Sequence, residues 1–154
     1  IKGGQANLWT EQVYNLRHAE YMTWPRAFAI AESLWSPKEK KNWISFIKRV
    51  EAQFPRFDRD SVKYATALYD PDISASYNAD STLQVRLTNE VADLDLYYSV
   101  DNSFPDLFYP RYRQPFPMPR DAAQLRVISY RNGKPLGRLL TIPVEDLKKR
   151  AAQH

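Results

Sequence analysis

The residues most able to do chemistry lie in the segment QANLWTE, residues 5–11, which ends on an indole and a carboxylate. If residues 5–9 form a strand, Trp9 and Glu11 point to the same side, because side chains two positions apart on an extended chain share a face. An indole packs on the apolar face of a sugar ring, and a carboxylate accepts hydrogen bonds from sugar hydroxyls. The pair therefore suits a carbohydrate ligand.

A structural role for the same residues is the alternative. In that role Thr10 caps a helix, Glu11 lies in the first turn, where the helix dipole favours a carboxylate, and Trp9 anchors a core. Spacing alone favours the structural role, so the choice depends on what surrounds these residues.

Helical spacing follows over residues 11–55. Residues 21–35 are apolar on nearly all sides, and Ser-Pro at residues 36–37 ends the run, which predicts a buried helix. A second set of apolar residues recurs at i, i+3, i+4, i+7 and i+11 and predicts an amphipathic helix within residues 39–54 that covers a core. This set consists of Trp43, Phe46, Ile47, Val50 and Phe54.

The period changes to two after a linker over residues 55–81, which is rich in Pro, Asp and Asn. We place a domain boundary at residue 72. Beyond it, apolar residues alternate with polar ones over residues 82–87 and 94–100, which predicts strands with one solvated face.

Two more apolar runs, residues 125–131 and 137–144, flank Asn132 and Gly133, a pair that signals a hairpin. With no helical pattern between them, the strands predict a small antiparallel β-sandwich. Residues 146–154 then read as a charged tail or a short helix, with no sign of function.

Composition excludes several classes of function. The 154 residues carry 22 Lys and Arg against 18 Asp and Glu, and the net charge of +4 is spread out, so a nucleic-acid partner is not indicated. The absence of Cys and the presence of only two His leave no disulfide framework and no Cys- or His-rich metal site. No glycine-rich phosphate loop occurs, and no apolar run reaches the roughly 18 residues of a membrane helix.

The beginning of the chain is unusual for a complete protein, because Ile1 leads within a few residues into a small-residue turn and a strand-like segment. Such a segment usually lies inside a larger sheet. We therefore expect a fragment whose N-terminal portion is missing. A lone strand leaves its N–H and C=O groups unpaired, so residues 1–9 should be misfitted, swapped or disordered without partner chain.

A family resemblance favours carbohydrate binding over a structural role for Trp9 and Glu11. Residues 3–11, GGQANLWTE, then residues 20–37, EYMTWPRAFAIAESLWSP, and then Trp43, Phe46 and Arg49 resemble the end of the catalytic domain of family 20 glycoside hydrolases, the β-N-acetylhexosaminidases. The resemblance implies the eighth strand and eighth helix of a (β/α)8 barrel, whose active site lies at the C-terminal ends of the strands.

The resemblance also implies roles for the two candidate residues. Trp9 corresponds to an indole that lines the pocket for the terminal N-acetylhexosamine, and Glu11 to the carboxylate that accepts hydrogen bonds from its 4- and 6-hydroxyls. Glu20, Arg26 and Glu32 are expected to make a structural ion pair that orients the helix against the barrel. Trp24 and Trp35 are expected in the core, and His18 in a loop on the active-site side.

The family mechanism is substrate-assisted: the 2-acetamido oxygen attacks the anomeric carbon, an Asp orients that amide, and the adjacent Glu protonates the leaving oxygen. This sequence contains no adjacent Asp-Glu pair. We therefore assign no catalytic residue, metal or cofactor here, and we expect the chain alone to be inert.

The second zone resembles, more faintly, the small immunoglobulin-like C-terminal domain of some bacterial hexosaminidases and chitobiases. The matching segments are residues 97–105, 112–116 and 125–134. Aromatic residues among prolines form either a sugar-stacking platform or a seal against the barrel, and packing is favoured because no carboxylate or amide cluster accompanies them. These aromatic residues are Phe104, Phe108, Tyr109, Tyr112 and Phe116.

The sequence therefore predicts an α+β chain. Residues 1–72 form the last strand and helix of a TIM barrel with a closing amphipathic helix, and residues 73–154 form an immunoglobulin-like antiparallel β-sandwich. The implied partners are glycans that end in N-acetylhexosamine and the upstream part of the same barrel, and the implied location is periplasmic or extracellular. Two alternatives stay open: a non-catalytic carbohydrate-binding or scaffold module, and another retaining glycosidase.

Overall fold

The computed structural model describes residues 3–152, and the predicted strand over residues 1–9 and the predicted tail to residue 154 each extend beyond that range. The chain mixes helices with antiparallel sheets and divides into two compact units, Ile1–Ala65 and Thr66–His154.

The division lies earlier in the chain than the predicted boundary at residue 72, and two contacts explain why. The hydroxyl of Ser129 donates a hydrogen bond to the backbone carbonyl of Tyr69. The carboxylate of Asp70 accepts hydrogen bonds from the backbone N–H and the guanidinium of Arg138. The residues just before the first strand are therefore tied to the sheet that follows them.

The first unit is helical. Two helices begin at asparagine caps: the Asn15 side chain accepts from the backbone N–H of His18, and that of Asn42 accepts from Ser45, each at 2.9 Å. The helices are α1 (Leu16–Thr23), α2 (Arg26–Trp35), α3 (Trp43–Glu51) and α4 (Phe54–Arg59), with short 3-10 helices at Thr10–Gln12 and Lys38–Lys40.

The strand predicted within residues 1–9 is not formed over residues 3–9, which lack regular secondary structure. Residues 3–8 make no backbone hydrogen bond to any other described residue. A strand exists only where a neighbour pairs with it, and the described part of the chain offers these residues none.

The buried helix predicted over residues 21–35 is wrong in two respects. The helix is interrupted at Trp24 and Pro25, because proline has no N–H to continue the hydrogen-bond ladder, so α1 ends at Thr23 and α2 begins at Arg26. Neither helix contains a buried residue, and Trp35 is 86% exposed. Their apolar side chains are only partly covered within the described chain, where Phe28 of α2 packs against Trp24 and Phe57.

The predicted amphipathic stripe is confirmed over its C-terminal three residues, since Ile47, Val50 and Phe54 are buried. The helix itself is shorter than predicted, because α3 ends at Glu51 and Phe54 opens α4. Trp43, at the N-terminal end of the stripe, is exposed.

Two antiparallel sheets make up most of the second unit. In the first sheet, β1 (Asp72–Tyr77) pairs with β2 (Leu83–Thr88), which pairs with β4 (Phe116–Pro117). The predicted alternation in β2 is confirmed, since Leu83, Val85 and Leu87 are all buried.

In the second sheet, β5 (Gln124–Arg131) is the central strand. It pairs on one side with β3 (Asp95–Ser99), and β6 (Lys134–Pro135) and β7 (Leu140–Pro143) also pair with it. The predicted hairpin is confirmed: Asn132 and Gly133 both adopt positive φ, 51° and 74°, as a two-residue turn of this type requires.

The two sheets contribute to a single hydrophobic cluster, in which Val85 and Leu87 of one sheet join Leu125 and Val127 of the other. The antiparallel sheets agree with the predicted class of the second unit. The immunoglobulin-like topology and the barrel origin of the first unit stay predictions.

Of the two alternatives for the C-terminal segment, the short helix is confirmed, and it contributes to the core, which the sequence did not predict. Residues Val144–Ala151 form helix α5, whose first turn carries Glu145 and Asp146 and whose last turn carries three basic residues, a distribution that suits the helix dipole. Leu147 is 0% exposed and lies in the same hydrophobic cluster as the sheets. The apolar face of this helix was missed because its residues, Val144, Leu147 and Ala151, stand three to four positions apart among charged residues.

We predict that Leu147→Ala lowers the unfolding free energy of the second unit by about 2–4 kcal/mol, because it leaves a cavity in a packed core. Lys149→Ala, on the solvated side of the same helix, is the matched control. Urea unfolding followed by circular dichroism measures both, and equal midpoints would show that α5 is a dispensable tail.

Candidate functional site

Trp9 and Glu11 lie where the irregular segment turns into the first helical element. Trp9 has an extended backbone, with φ −80° and ψ 132°, and stands immediately before the 3-10 helix Thr10–Gln12. The turn is closed by a 3.1 Å hydrogen bond from the N–H of Val13 to the carbonyl of Thr10. Both candidate side chains are exposed, Trp9 to 72%.

The structural role weighed for these residues is only partly realised. Glu11 does lie in a first turn, but Thr10 is inside the 3-10 helix, and no side chain caps that helix. Trp9 does not anchor a core within the described chain, because most of its surface is exposed.

The expected shared face of Trp9 and Glu11 depends on an extended backbone through residue 11. A 3-10 helix turns by about 120° per residue, so residues two apart in it point in different directions. No hydrogen bond or ring contact joins Trp9 to Glu11 among the described residues. The structure therefore brings the two residues to the same exposed turn without joining their side chains.

The segment ahead of the turn passes over α2. A Cβ added at Gly4 would lie 2.9 Å from a terminal methyl of Leu34, so the backbone of this segment approaches the side chain closely. Glycine permits that approach because it has no side chain of its own.

His18 is in the first turn of α1, so the predicted loop position is wrong. Asn15 caps α1, which begins at Leu16, two residues before His18. Its imidazole lies nearly parallel to the exposed ring of Tyr14, with 6.3 Å between centroids.

Glu20, Arg26 and Glu32 do not pair with one another but tie the first unit together. A Glu20 carboxylate oxygen accepts from the backbone N–H of Lys63 at 2.9 Å, and Glu32 pairs with Arg49 at 2.6 Å. The Arg26 guanidinium donates to backbone carbonyls at the end of α1. Their contacts are structural, as expected, but internal to this unit.

The two tryptophans expected in the core have different surroundings. Trp24 packs against Phe28 and Phe57, with ring centroids 4.8 and 5.2 Å away, but it is only half-buried, so it lies in an aromatic cluster outside the buried core. Trp35 is exposed, so the prediction is wrong for the described chain.

Trp35 belongs to a larger set of exposed apolar side chains in the first unit, which we call the uncovered apolar set. Its members are Leu8, Trp9, Tyr14, Leu16, Met22, Ile30, Leu34, Trp35, Trp43 and Ile44. So many large apolar side chains in one small unit indicate a surface that is covered by other protein or by a ligand.

The five aromatic residues considered as a platform in the second unit do not form one surface. Phe116 stacks on Tyr98 at 4.1 Å, and Tyr112 meets Phe116 edge-on at 6.3 Å, so both belong to the packing around the core. Phe108 is 97% exposed on the loop before β4, and Phe104 is also exposed.

Hydrogen bonds hold the loop that carries these exposed rings. The Asp101 carboxylate accepts from the backbone N–H of Ser103 and from the Tyr109 hydroxyl, and these bonds lower the pKa of the Asp101 carboxyl below its ordinary value. The Tyr109 side chain is therefore tied to Asp101 within this loop.

Across residues 3–152, no group of three or more His, Cys, Asp or Glu side chains is placed to hold a metal ion. In that range the helices are too short or too polar to cross a membrane.

A cleft that the sequence analysis did not predict lies in the second unit, between the β1–β2 turn, the loop after β4 and the first turn of α5. One signal was available. Tyr77 continues the inward-facing positions Ile73 and Ala75 of β1, yet it stands beside a turn, where an inward aromatic ring has little to cover it.

Comparison with known proteins supports the first unit's family resemblance. Residues 1–38 match the family model described as glycosyl hydrolase family 20, catalytic domain. A protein named beta-hexosaminidase from Porphyromonas gingivalis is 28% identical over 132 residues, which cover 85% of this chain and 16% of that protein. A beta-hexosaminidase from Akkermansia muciniphila is 40% identical over 50 residues, or 32% of this chain and 10% of that protein.

The predicted similarity to family 20 glycoside hydrolases is therefore confirmed. The matched part of the chain spans less than a fifth of either curated relative. The family match includes Trp9 and Glu11 and both helices that follow them, α1 and all of α2.

We predict that Asn15→Ala loosens the helix that follows the candidate turn, because the backbone N–H of His18 loses its acceptor. The loss of a cap costs about 1 kcal/mol, which corresponds to about fivefold faster amide exchange in α1. Asn15→Asp, which keeps an acceptor oxygen, is the control. Equal exchange rates in the alanine and aspartate variants would contradict the assigned cap.

Proposed function

We propose that this chain is part of a β-N-acetylhexosaminidase, with residues 1–72 from the end of its (β/α)8 catalytic domain and residues 73–154 forming an immunoglobulin-like β-sandwich. The whole enzyme removes terminal non-reducing N-acetylhexosamine residues from glycans with retention of configuration. The observation that carries the proposal is the family match over residues 1–38, which contains both Trp9 and Glu11. Two relatives named beta-hexosaminidase support it.

The uncovered apolar set supports a barrel origin for the first unit. In a (β/α)8 barrel, each helix packs an apolar face on the strands, and each strand is paired on both sides. Among the described residues, residues 3–8 make no backbone–backbone hydrogen bond, and α2 has no buried side chain. In a barrel, a neighbouring strand on each side would bond to the backbone of residues 3–8, and adjacent strands and helices would cover the apolar side chains of α2.

The proposed role of Trp9 and Glu11 is to bind the terminal sugar. In a paired strand that continues through residue 11, the two side chains share a face at the strand's C-terminal end. The indole would cover the apolar face of the sugar ring, and the Glu11 carboxylate would accept hydrogen bonds from the 4- and 6-hydroxyls. Both residues are exposed, so neither is committed to another role within the described chain.

The proposed reaction is substrate-assisted. The 2-acetamido oxygen of the sugar attacks the anomeric carbon, the leaving oxygen takes a proton from a Glu, and an adjacent Asp orients the acetamido group. Because the sequence has no adjacent Asp-Glu pair, these residues would help to bind the substrate and would not donate the proton. The scheme requires no metal or organic cofactor, and we propose a periplasmic or extracellular site of action.

We predict that the 154-residue chain alone does not hydrolyse 4-nitrophenyl N-acetyl-β-D-glucosaminide, because it lacks the general acid. The source protein that carries these residues should hydrolyse it, as measured by release of 4-nitrophenol. Turnover by the chain alone would contradict the assignment of the catalytic pair to other residues. A source protein inactive on glucosaminides and galactosaminides alike would favour the non-catalytic module.

We predict that Glu11→Gln in the source protein lowers kcat/KM by about 10- to 100-fold, because hydrogen bonds to a charged group contribute about 1.5–3 kcal/mol. Trp9→Ala should also weaken substrate binding, whereas Trp9→Phe should retain part of it. The matched control is Glu39→Gln, since Glu39 likewise lies in the first turn of a short 3-10 helix. An equal fall in kcat/KM for Glu11→Gln and Glu39→Gln would contradict the place of Glu11 in the sugar pocket.

A further inference from the structure

A cleft of about 640 Å³ opens at one end of the second unit. The turn between β1 and β2, the loop that follows β4 and the first turn of α5 form its walls. Its base is apolar, because Leu83, Met118 and Val144 reach it from the three walls, and all three are buried.

The walls of this end cleft are held by backbone and side-chain hydrogen bonds. The Asn78 amide oxygen accepts from the backbone N–H groups of Asp80 and Thr82 at 3.2 and 2.9 Å, which fixes the turn after β1. The loop after β4 is tied at both ends, by Met118 N–H to Leu83 carbonyl at 2.8 Å and by Val144 N–H to Ala123 carbonyl at 2.9 Å. The cleft is therefore formed before any ligand arrives, which lowers the entropic cost of binding.

Tyr77 supplies the aromatic surface of the cleft. It is on the inward-facing side of β1, in line with Ile73 and Ala75, and pairs in register with Leu83. Unlike those inward neighbours it stays 46% exposed, because the core ends at this turn. An aromatic side chain beside an apolar base offers a surface on which a sugar ring can pack.

The polar rim is balanced in charge. Asp80 and Glu145 contribute two carboxylates, and Arg120 and Lys148 contribute two cations. Glu145 and Lys148 pair with each other at 2.7 Å, while Asp80 and Arg120 are exposed and, among the described residues, their side chains make no hydrogen bond. A rim with unused donors and acceptors and no excess charge favours a neutral polyhydroxylated ligand over a phosphate or an acyl chain.

We propose that the end cleft binds a neutral oligosaccharide, with Tyr77 packed against one sugar ring and Asp80 and Arg120 bonded to its hydroxyls. The balanced rim has no excess positive charge to attract an anion, and its charged groups disfavour a purely apolar ligand. The cleft belongs to the second unit and the Trp9 segment to the first, so this binding does not depend on the proposed hydrolase activity.

Amide chemical shifts of the full 154-residue chain test the proposal, in titrations with triacetylchitotriose and, separately, with maltotriose as neutral probes. We expect saturable shifts at Tyr77, Asp80 and Arg120 with at least one of these probes. Inorganic phosphate is the anionic probe and should leave the same amides unmoved. Shifts with phosphate and not with either saccharide would overturn the proposal in favour of an anion site, and the absence of any shift would overturn it outright.

Variants locate the binding surface. Tyr77→Ala should weaken saccharide binding about tenfold, a change that corresponds to about 1.4 kcal/mol, whereas Tyr77→Phe should keep most of it. Phe108→Ala is the matched control, because Phe108 is a more exposed ring on a different loop of the same unit. Loss of binding in Phe108→Ala with retention in Tyr77→Ala would overturn the proposal. If Tyr77→Ala does not fold, Arg120→Ala on the exposed rim provides the same test, and unchanged affinity there would count against the cleft.

Discussion

Backbone hydrogen bonding is the constraint on which the proposed site depends. An extended segment has a donor and an acceptor at each residue, and it forms a strand only when another strand bonds to it. Residues 3–8 find no such neighbour within the described chain, and Trp9 and Glu11 follow them directly. The absence of a neighbouring strand within the described chain therefore accounts for the irregular segment, the 3-10 turn at Thr10–Gln12 and the exposed indole.

The two units also differ in how much of their apolar surface is buried. The second unit closes its own core, since both sheets and α5 meet around Leu125, Val127 and Leu147. In the first unit the centre of α3 is buried and the rings around Trp24 are half-buried, while most large apolar side chains of α1 and α2 are exposed. Helices draw most of their stability from packing of an apolar face, so α1 and α2 need a covering surface of the kind that the proposed barrel would supply.

Local patterns predicted those parts of the fold that depend on near neighbours in sequence. Alternation identified β2, and Asn132-Gly133 identified a hairpin, because residue type alone determines which turns are allowed there. The register of contacts between distant residues was not predictable in this way. Ser129 reaching the carbonyl of Tyr69, and Leu147 entering the core from a charged segment, follow from packing between elements far apart along the chain.

For the candidate site, the order of residues carried more information than the periodicity did. Periodicity favoured a core role for Trp9, whereas the motif context of Trp9 and Glu11 indicated a glycosidase family, and the comparison over residues 1–38 supports that family. The end cleft was missed because its walls come from three segments separated by tens of residues. Only the folded chain brings Tyr77, Arg120 and Lys148 to one place.

The most direct test of the central claim is chemical protection of Trp9 in the source protein. Tryptophan oxidation by N-bromosuccinimide, read by mass spectrometry of the peptides, compares Trp9 with Trp43 in the presence and absence of N-acetylglucosamine. The account predicts that the sugar slows oxidation of Trp9 and leaves that of Trp43 unchanged. Oxidation of Trp9 at the same rate with and without saturating sugar would contradict its place in the sugar pocket.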